Sequence, residues 1–180
     1  MSSNLPPKGI REAVNFLRQQ RRFLRNELEK RSFFSRLLSP VPSSESELDR
    51  RLETKQNHIL AESGRSNNLG LYRNASLTLA CIEILRGSFN SALQYLMDVA
   101  FLDMNGATNS LPGYRSFDRQ FADLLPFVSD LIRDTTAAAR IGTGSLEELF
   151  KARWARFSSF GKPPYAADPT WRRLKKAIDT

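Results

Sequence analysis

The sequence predicts an all-α protein, a single compact domain of six to eight helices around a buried central hairpin. Apolar residues recur at spacings of three and four along most of the chain, which is the period of an amphipathic helix. No stretch alternates apolar and polar residues with β-branched enrichment, as a half-buried strand would. Between residues 69 and 106 the apolar residues cover nearly every side of a helix, a pattern that indicates helices buried all round.

A chain of 180 residues fits one domain, and we expect that domain to span residues 1–180. Its composition, 41% hydrophobic and 26% charged, is that of a globular protein. The segments 1–9 and 32–44 are the candidates for flexible parts, because both contain prolines that interrupt helices.

The chain has one cysteine, Cys81, which lies in its most apolar stretch and cannot form an intramolecular disulfide. This usage favours a reducing compartment. The N-terminus lacks the features of a signal peptide, and no window holds the roughly 18 uncharged apolar residues of a membrane span. We therefore expect a soluble, cytoplasmic protein without a transmembrane segment.

The net charge of +8 is concentrated at the two ends of the chain. Residues 1–36 carry nine Lys/Arg against three Asp/Glu, residues 37–139 nine against twelve, and residues 140–180 nine against four. Such ends fit a solvated basic surface, or a footprint for nucleic acid or an anionic membrane. They would converge if the first and last helices packed side by side.

The first helix is expected from Lys8 to Arg31, with an apolar face that Phe16 and Phe23 widen. That face comprises Ile10, Val14, Leu17, Leu24 and Leu28. The opposite side carries a row of arginines, Arg11, Arg18, Arg22 and Arg25, with Glu29 one turn beyond Arg25 as its expected ion-pair partner. The row fits a solvated helix surface, a stripe that follows phosphates, or a helix that lies on a membrane or a partner.

A capping box, Ser44-x-x-Glu47, opens the second helix, which should run to Gly64. The central hairpin follows, and Gly87 should end its first helix in a left-handed conformation. We expect the most buried residues of the protein to include Leu79, Ile82, Leu93, Leu96 and Val99.

Three further helices are expected after the loop 106–114. One begins at Ser116 and should kink, or stop and restart, near Leu125, because Pro126 interrupts its pattern. The next follows a break at 143–144 and opens with a second capping box, Ser145-x-x-Glu148. The last ends at Asp179 and carries the basic residues Arg172, Arg173, Lys175 and Lys176.

Aromatic residues alternate with basic ones in the C-terminal tail. These rings are Phe150, Trp154, Phe157, Phe160, Tyr165 and Trp171. Basic residues with aromatics suit single-stranded nucleic acid, whose bases stack on rings. Rings at helical spacing also suit a hydrophobic core, which we favour here.

The segment GSFNSALQYLMDVAFLD resembles the second half of a tetratricopeptide repeat. Gly87, Ala92, Leu96 and Ala100 stand at the matching positions, where a glycine ends the first helix and small residues let the second pack closely. The resemblance implies a repeat-like helical hairpin. It covers about one fifth of the chain, and no second copy follows at a spacing of about 34 residues.

The inventory for catalysis is small, because His58 is the only histidine. With Arg51 it forms RLETKQNH, which resembles the Arg-x4–6-His element of HEPN ribonucleases, and the resemblance implies a ribonuclease site. The alternative is a solvated or satisfied histidine. Asp103 opens a calcium-like loop, but its twelfth position is Tyr114, where a bidentate Glu is needed. We therefore predict no catalytic residue, no metal site and no cofactor.

The sequence favours a non-enzymatic interaction or adaptor module that binds a partner protein in a groove between helices. The alternative is a basic accessory protein that binds nucleic acid, either single-stranded or without sequence preference. Its candidate contacts are Arg11, Arg18, Arg22, Arg25, Arg172, Arg173, Lys175 and Lys176. A HEPN-like ribonuclease is the remote third hypothesis.

Overall fold

A computed structural model describes residues 6–32, 35, 37, 39–66, 68–106, 125–157 and 167–180. These residues contain no strand, so the all-α prediction is confirmed. Seven helices form the described part, and their number agrees with the sequence. They are α1 (Lys8–Glu29), α2 (Glu45–Arg65), α3 (Leu69–Arg86), α4 (Phe89–Gly106), α5 (Leu125–Ala139), α6 (Thr143–Phe157) and α7 (Ala167–Asp179).

The hairpin of α3 and α4 lies at the centre of a single compact domain. The five residues predicted to be most buried, Leu79, Ile82, Leu93, Leu96 and Val99, are each at most 2% exposed. On one side α2 and α1 pack on α3, and on the other α5, α6 and α7 pack on α4. The all-round apolar pattern therefore predicted the centre of the fold correctly.

Gly87 ends α3 in the predicted left-handed conformation, with φ of 78°. Its N–H donates to the carbonyl oxygen of Ile84 at 3.0 Å, and the N–H of Ser88 donates to that of Glu83 at 2.9 Å. These two bonds satisfy carbonyls that the helix end would otherwise leave open. The chain can therefore turn into α4 within two residues.

The first turn of α1 is fixed against α5. Gly9 is buried there, and a Cβ atom on it would lie 2.6 Å from the carbonyl oxygen of Asp130. The Gly9 N–H donates to Asp134 Oδ2 at 2.6 Å, and Lys8 Nζ lies 2.8 Å from Asp130 Oδ2. Only a glycine permits this approach of the two backbones.

The two capping boxes have different outcomes. At Ser44 the box is confirmed, because its Oγ accepts the Glu47 N–H at 3.2 Å at the start of α2. The box at Ser145 is wrong, because α6 already begins at Thr143. Its start is set by the end of α5, where Arg140 adopts a left-handed φ of 56°. The break therefore lies at 140–142, before the predicted 143–144.

Part of the predicted helix that begins at Ser116 lies outside the described residues, which resume at 125. From there α5 starts at Leu125 with Pro126 in its first turn, where a missing N–H does no harm. Because the described residues resume at the same position, a kink or a stop and restart near Leu125 stays a prediction. No helix in the described residues is both long and apolar enough to cross a bilayer.

Candidate functional site

Arginines of the inner helix contacts each hold a carboxylate with two parallel bonds. Between α1 and α2, Arg21 donates to Asp49 through Nε at 2.7 Å and through Nη2 at 2.6 Å. Between α3 and α2, Arg86 donates to Glu53 through Nη1 at 2.8 Å and Nη2 at 2.7 Å. The hydrogen bonds from Arg86 lower the pKa of Glu53. These pairs join neighbouring helices with the planar geometry that arginine favours.

A third pair of this kind is buried inside the hairpin. Arg73 on α3 donates to Asp103 on α4 through Nε and Nη2, both at 2.8 Å. Their side chains are 0% and 5% exposed. Two charges this far from water are tolerated only when each holds the other through good hydrogen bonds.

Asp98 is the centre of a buried cluster that joins three helices. Its carboxylate is fully buried and accepts Arg153 Nε of α6 at 2.5 Å and a second bond from Arg153 Nη2. The Tyr72 hydroxyl of α3 donates to Asp98 Oδ2 at 3.2 Å. Burial, and then the Asp98 charge, raise the pKa of Tyr72 to about 12, so the phenol stays protonated. The cluster ties α6 to the central hairpin.

The arginines on the outer side of α1 have a different environment. All four predicted residues, Arg11, Arg18, Arg22 and Arg25, are exposed. Arg18 donates to Asn15 Oδ1 at 3.3 Å, and none of the four has a carboxylate partner in the described part of the chain. The expected ion pair of Arg25 with Glu29 is therefore wrong, although Glu29 is exposed on the same side of the helix. At about 1.5 Å per residue, this outer arginine row extends about 21 Å along the helix.

A shallow groove runs between the outer arginine row and the start of α2. Arg18, Arg21, Arg22 and Arg25 line it together with Glu45 and Leu48, around a volume of about 200 Å³. Arg21 is the one cation in it that is neutralised, by Asp49 and by Glu45 at 3.0 Å. The groove therefore offers guanidinium groups that no carboxylate of the groove occupies.

The basic residues of α7 are exposed as well, namely Arg172, Arg173, Lys175 and Lys176. Lys175 pairs with Asp179 of the same helix at 3.2 Å. The two basic helices do not pack side by side: α1 packs on α2, α3 and α5, and α7 packs on α4, α5 and α6. They have α5 as a common neighbour, and the structure leaves two separate basic surfaces.

The prediction that Phe23 widens the apolar face of α1 is wrong, because its side chain is 66% exposed. Phe16, seven residues earlier on the same side, does pack, with its ring centre 6.1 Å from that of Phe127. Described contacts of α5 with α1 include those at Gly9 and Phe16, and Phe23 lies two turns beyond Phe16. Sequence periodicity could not show which of the two rings is covered.

The rings of the C-terminal tail are core residues where their side chains are described. Phe150, Trp154 and Trp171 are buried, and Trp154 packs edge-on against Phe101 with ring centres 4.8 Å apart. These rings have no open face on which a base could stack. The prediction for Phe157, Phe160 and Tyr165 lies outside the described side chains.

Arg51 and His58 lie on α2 about 10 Å apart along its axis. The Arg51 guanidinium donates to Glu47 Oε1 at 3.1 Å and to Ser39 Oγ at 3.0 Å. The His58 side chain is 78% exposed, with Nδ1 3.6 Å from Glu62 Oε2. The structure therefore gives each residue its own partners. The described residues also contain no group of three or more His, Cys, Asp or Glu that could hold a metal ion.

Comparison with known proteins finds no family model, no curated protein and no solved structure that matches this chain. The tetratricopeptide-like character of the hairpin therefore stays a prediction from its residues.

Proposed function

We propose that this protein is a non-enzymatic module that binds nucleic acid along the outer arginine row of α1. The observation that carries the proposal is the contrast between two sets of arginines. Those at the inner helix contacts each hold a carboxylate, whereas Arg11, Arg18, Arg22 and Arg25 hold none among the residues that the structure describes. A row of open guanidinium groups about 21 Å long suits the phosphates of a nucleic-acid strand.

The physical basis of such binding is the release of counterions. Each phosphate that a Lys or Arg neutralises frees condensed cations, so affinity falls linearly with the logarithm of salt concentration. Contacts of this kind carry no sequence information, and we expect little sequence preference. The basic surface of α7 is a second place where the same strand, or another, can bind.

The experiment is a fluorescence anisotropy titration with labelled single-stranded and duplex oligonucleotides at several salt concentrations. Replacing Arg18, Arg22 and Arg25 with Ala should lower the affinity and reduce the salt slope for single strands by about 2, since each lost phosphate contact contributes about 0.7. The fold should stay intact, because these side chains lie off the packed face of α1.

A matched control removes the same charge elsewhere, by replacing Arg172, Arg173 and Lys176 with Ala. If both triple variants lose affinity equally, net charge rather than the outer arginine row governs binding. If only the α7 variant does, the site is on α7. No binding of either oligonucleotide at low salt would contradict the proposal.

A partner protein is the second candidate, as the sequence favoured. The observation on its side is that α3, otherwise the most buried helix, exposes Leu71 and Leu85 at its two ends. We propose a cytoplasmic location for either candidate, because Cys81 is the one cysteine of the sequence and a chain that cannot form an intramolecular disulfide suits a reducing compartment.

A further inference from the structure

We infer that the outer face of α1 takes a single strand in preference to a duplex, and that Phe23 is the ring on which a base stacks. This inference rests on the proposed function and names the form of nucleic acid. Phe23 is 66% exposed and is the aromatic member of the exposed large hydrophobic residues in the described part of the chain.

The exposed side chains of α1 are arranged around the helix in a definite order. At about 100° per residue, the four arginines form one edge of the solvent face and Phe23 forms the other. Between them lie the exposed amide side chains of Asn15, Gln19 and Asn26, with Lys8 and Glu12 at the N-terminal end of this strip and Lys30 at its C-terminal end. In its middle, the face therefore presents cations, then amide donors and acceptors of hydrogen bonds, then an aromatic ring.

This order matches the parts of a nucleotide. With a helix diameter of about 10–12 Å, the arginine edge and Phe23 lie roughly 10 Å apart across the face. A strand whose phosphates follow the arginines can turn a base across the amides, so that the base edge meets Asn or Gln and its flat side meets Phe23. Stacking on a ring is tolerant of sequence because every base has a π-face.

A duplex cannot use this ring in the same way. The faces of its bases are covered by their neighbours, and only an unpaired, unstacked base exposes one. Single strands and duplexes can both make phosphate contacts with the arginines. Phe23 should therefore add affinity for single strands and leave duplex affinity almost unchanged.

Charge complementarity favours nucleic acid as the occupant over a hydrophobic segment of a protein. The residue before Phe23 is Arg22, which has no carboxylate partner among the described residues, and the next basic residue on its own side is the exposed Lys30. Glu27, one turn beyond Phe23, is already paired with Lys55 of α2. An apolar partner would have to cover these cations without a carboxylate to meet them, which costs free energy. A phosphate chain compensates them as it binds.

The test uses the full chain and labelled oligothymidylate, with a duplex of equal length as the comparison. Phe23→Ala should lower single-strand affinity about fivefold or more, and duplex affinity by less than twofold. The salt slope should not change, because no phosphate contact is lost. Phe23→Trp should keep the affinity, and the new indole should be quenched on binding, against Trp154 and Trp171, which are buried.

Two controls separate stacking from general apolar contact. Leu85→Ala removes another exposed apolar side chain, on α3, and should change neither affinity. Phe23→Leu keeps an apolar group without a π-face and should behave like Phe23→Ala. An unchanged single-strand affinity in Phe23→Ala would overturn the inference while leaving the proposed function in place. Equal losses for single strand and duplex would overturn it too, and a parent protein that binds neither would overturn both.

Discussion

Arg21 and Arg22 are neighbours in the sequence but belong to two different regions of the molecule. Arg21 faces α2 and holds Asp49 with two bonds. Arg22 faces solvent, with no carboxylate partner among the described residues. The same contrast separates Arg73, Arg86 and Arg153 from the outer arginine row. It shows that this chain supplies carboxylates where helices meet, whereas among the described residues no carboxylate, including the nearby Glu29, pairs with the four outer arginines.

The difference has an energetic meaning. A fully buried guanidinium such as that of Arg73 costs several kcal/mol without a partner and so requires its carboxylate, whereas the partly exposed Arg86 gains less from its pair. An exposed guanidinium remains hydrated, and its pairing is worth about 0–1 kcal/mol. Stability therefore explains the inner pairs but gives no reason for a row of four cations on one helix face. We propose a nucleic-acid ligand as the reason for that row.

The largest expected effect on stability is that of Asp98→Ala, in the buried cluster of Asp98, Arg153 and Tyr72. The substitution leaves Arg153 and the Tyr72 hydroxyl without their shared acceptor in a site that excludes water. We expect a loss of about 3–5 kcal/mol in the free energy of unfolding, measured by urea denaturation. Arg22→Ala is the outer control and should change it by less than about 0.5 kcal/mol. Similar effects in both variants would mean that the two regions do not differ as described.

A smaller loss is expected where α1 meets α5, in Gly9→Ala. The added Cβ would lie 2.6 Å from a backbone oxygen, so the helices must separate. We expect a cost of about 1–3 kcal/mol. Gly144→Ala is the matched control, because nothing lies within 4 Å of its added Cβ. That variant should be neutral or stabilised by up to about 1 kcal/mol, from the lower entropy of the unfolded chain. A Gly9→Ala protein with the same melting temperature as the parent would contradict the close contact between α1 and α5.

The smallest effect concerns pH and the partly exposed pair of Glu53 and Arg86. The hydrogen bonds from Arg86 lower the pKa of Glu53 below its ordinary value of 4.5. A carboxyl with a lowered folded pKa contributes stability that is present above pH 4.5 and is lost as pH falls through the folded value. Glu53→Gln should therefore cost at most about 1 kcal/mol at pH 7.

The difference in the free energy of unfolding between Glu53→Gln and the parent should become smaller as the pH is lowered below 4.5. Urea titrations at each pH measure it. A difference in the free energy of unfolding that stays constant between pH 7 and pH 3 would show that the charge of Glu53 does not contribute to stability.

Local sequence patterns were sufficient for the helices and for the centre of the fold. Gly87 could be assigned because a left-handed residue at a helix end favours glycine, and Ser44 because its hydroxyl caps the third amide after it. The start of α6 was misplaced because Arg140, which is not a glycine, takes the left-handed position. Nothing in the sequence around Arg140 indicates a left-handed conformation.

The outer arginine row was also predictable, since a spacing of three, four and seven residues places side chains on one face of any helix. The row followed from the period of α1 alone. Its lack of carboxylate partners did not, because partners such as Asp49 and Glu53 come from another helix. Distance along the chain does not reveal which acid meets which arginine.

Aromatic residues show the same division most clearly. Helical spacing and composition identified the aromatic residues of the tail and of α1, and favoured buried positions for both sets. In the structure Trp154 and Trp171 are buried, whereas Phe23 is exposed and Phe16 packs against Phe127 of α5. Helical character is a local property of the chain, whereas exposure depends on where neighbouring helices begin and end in space.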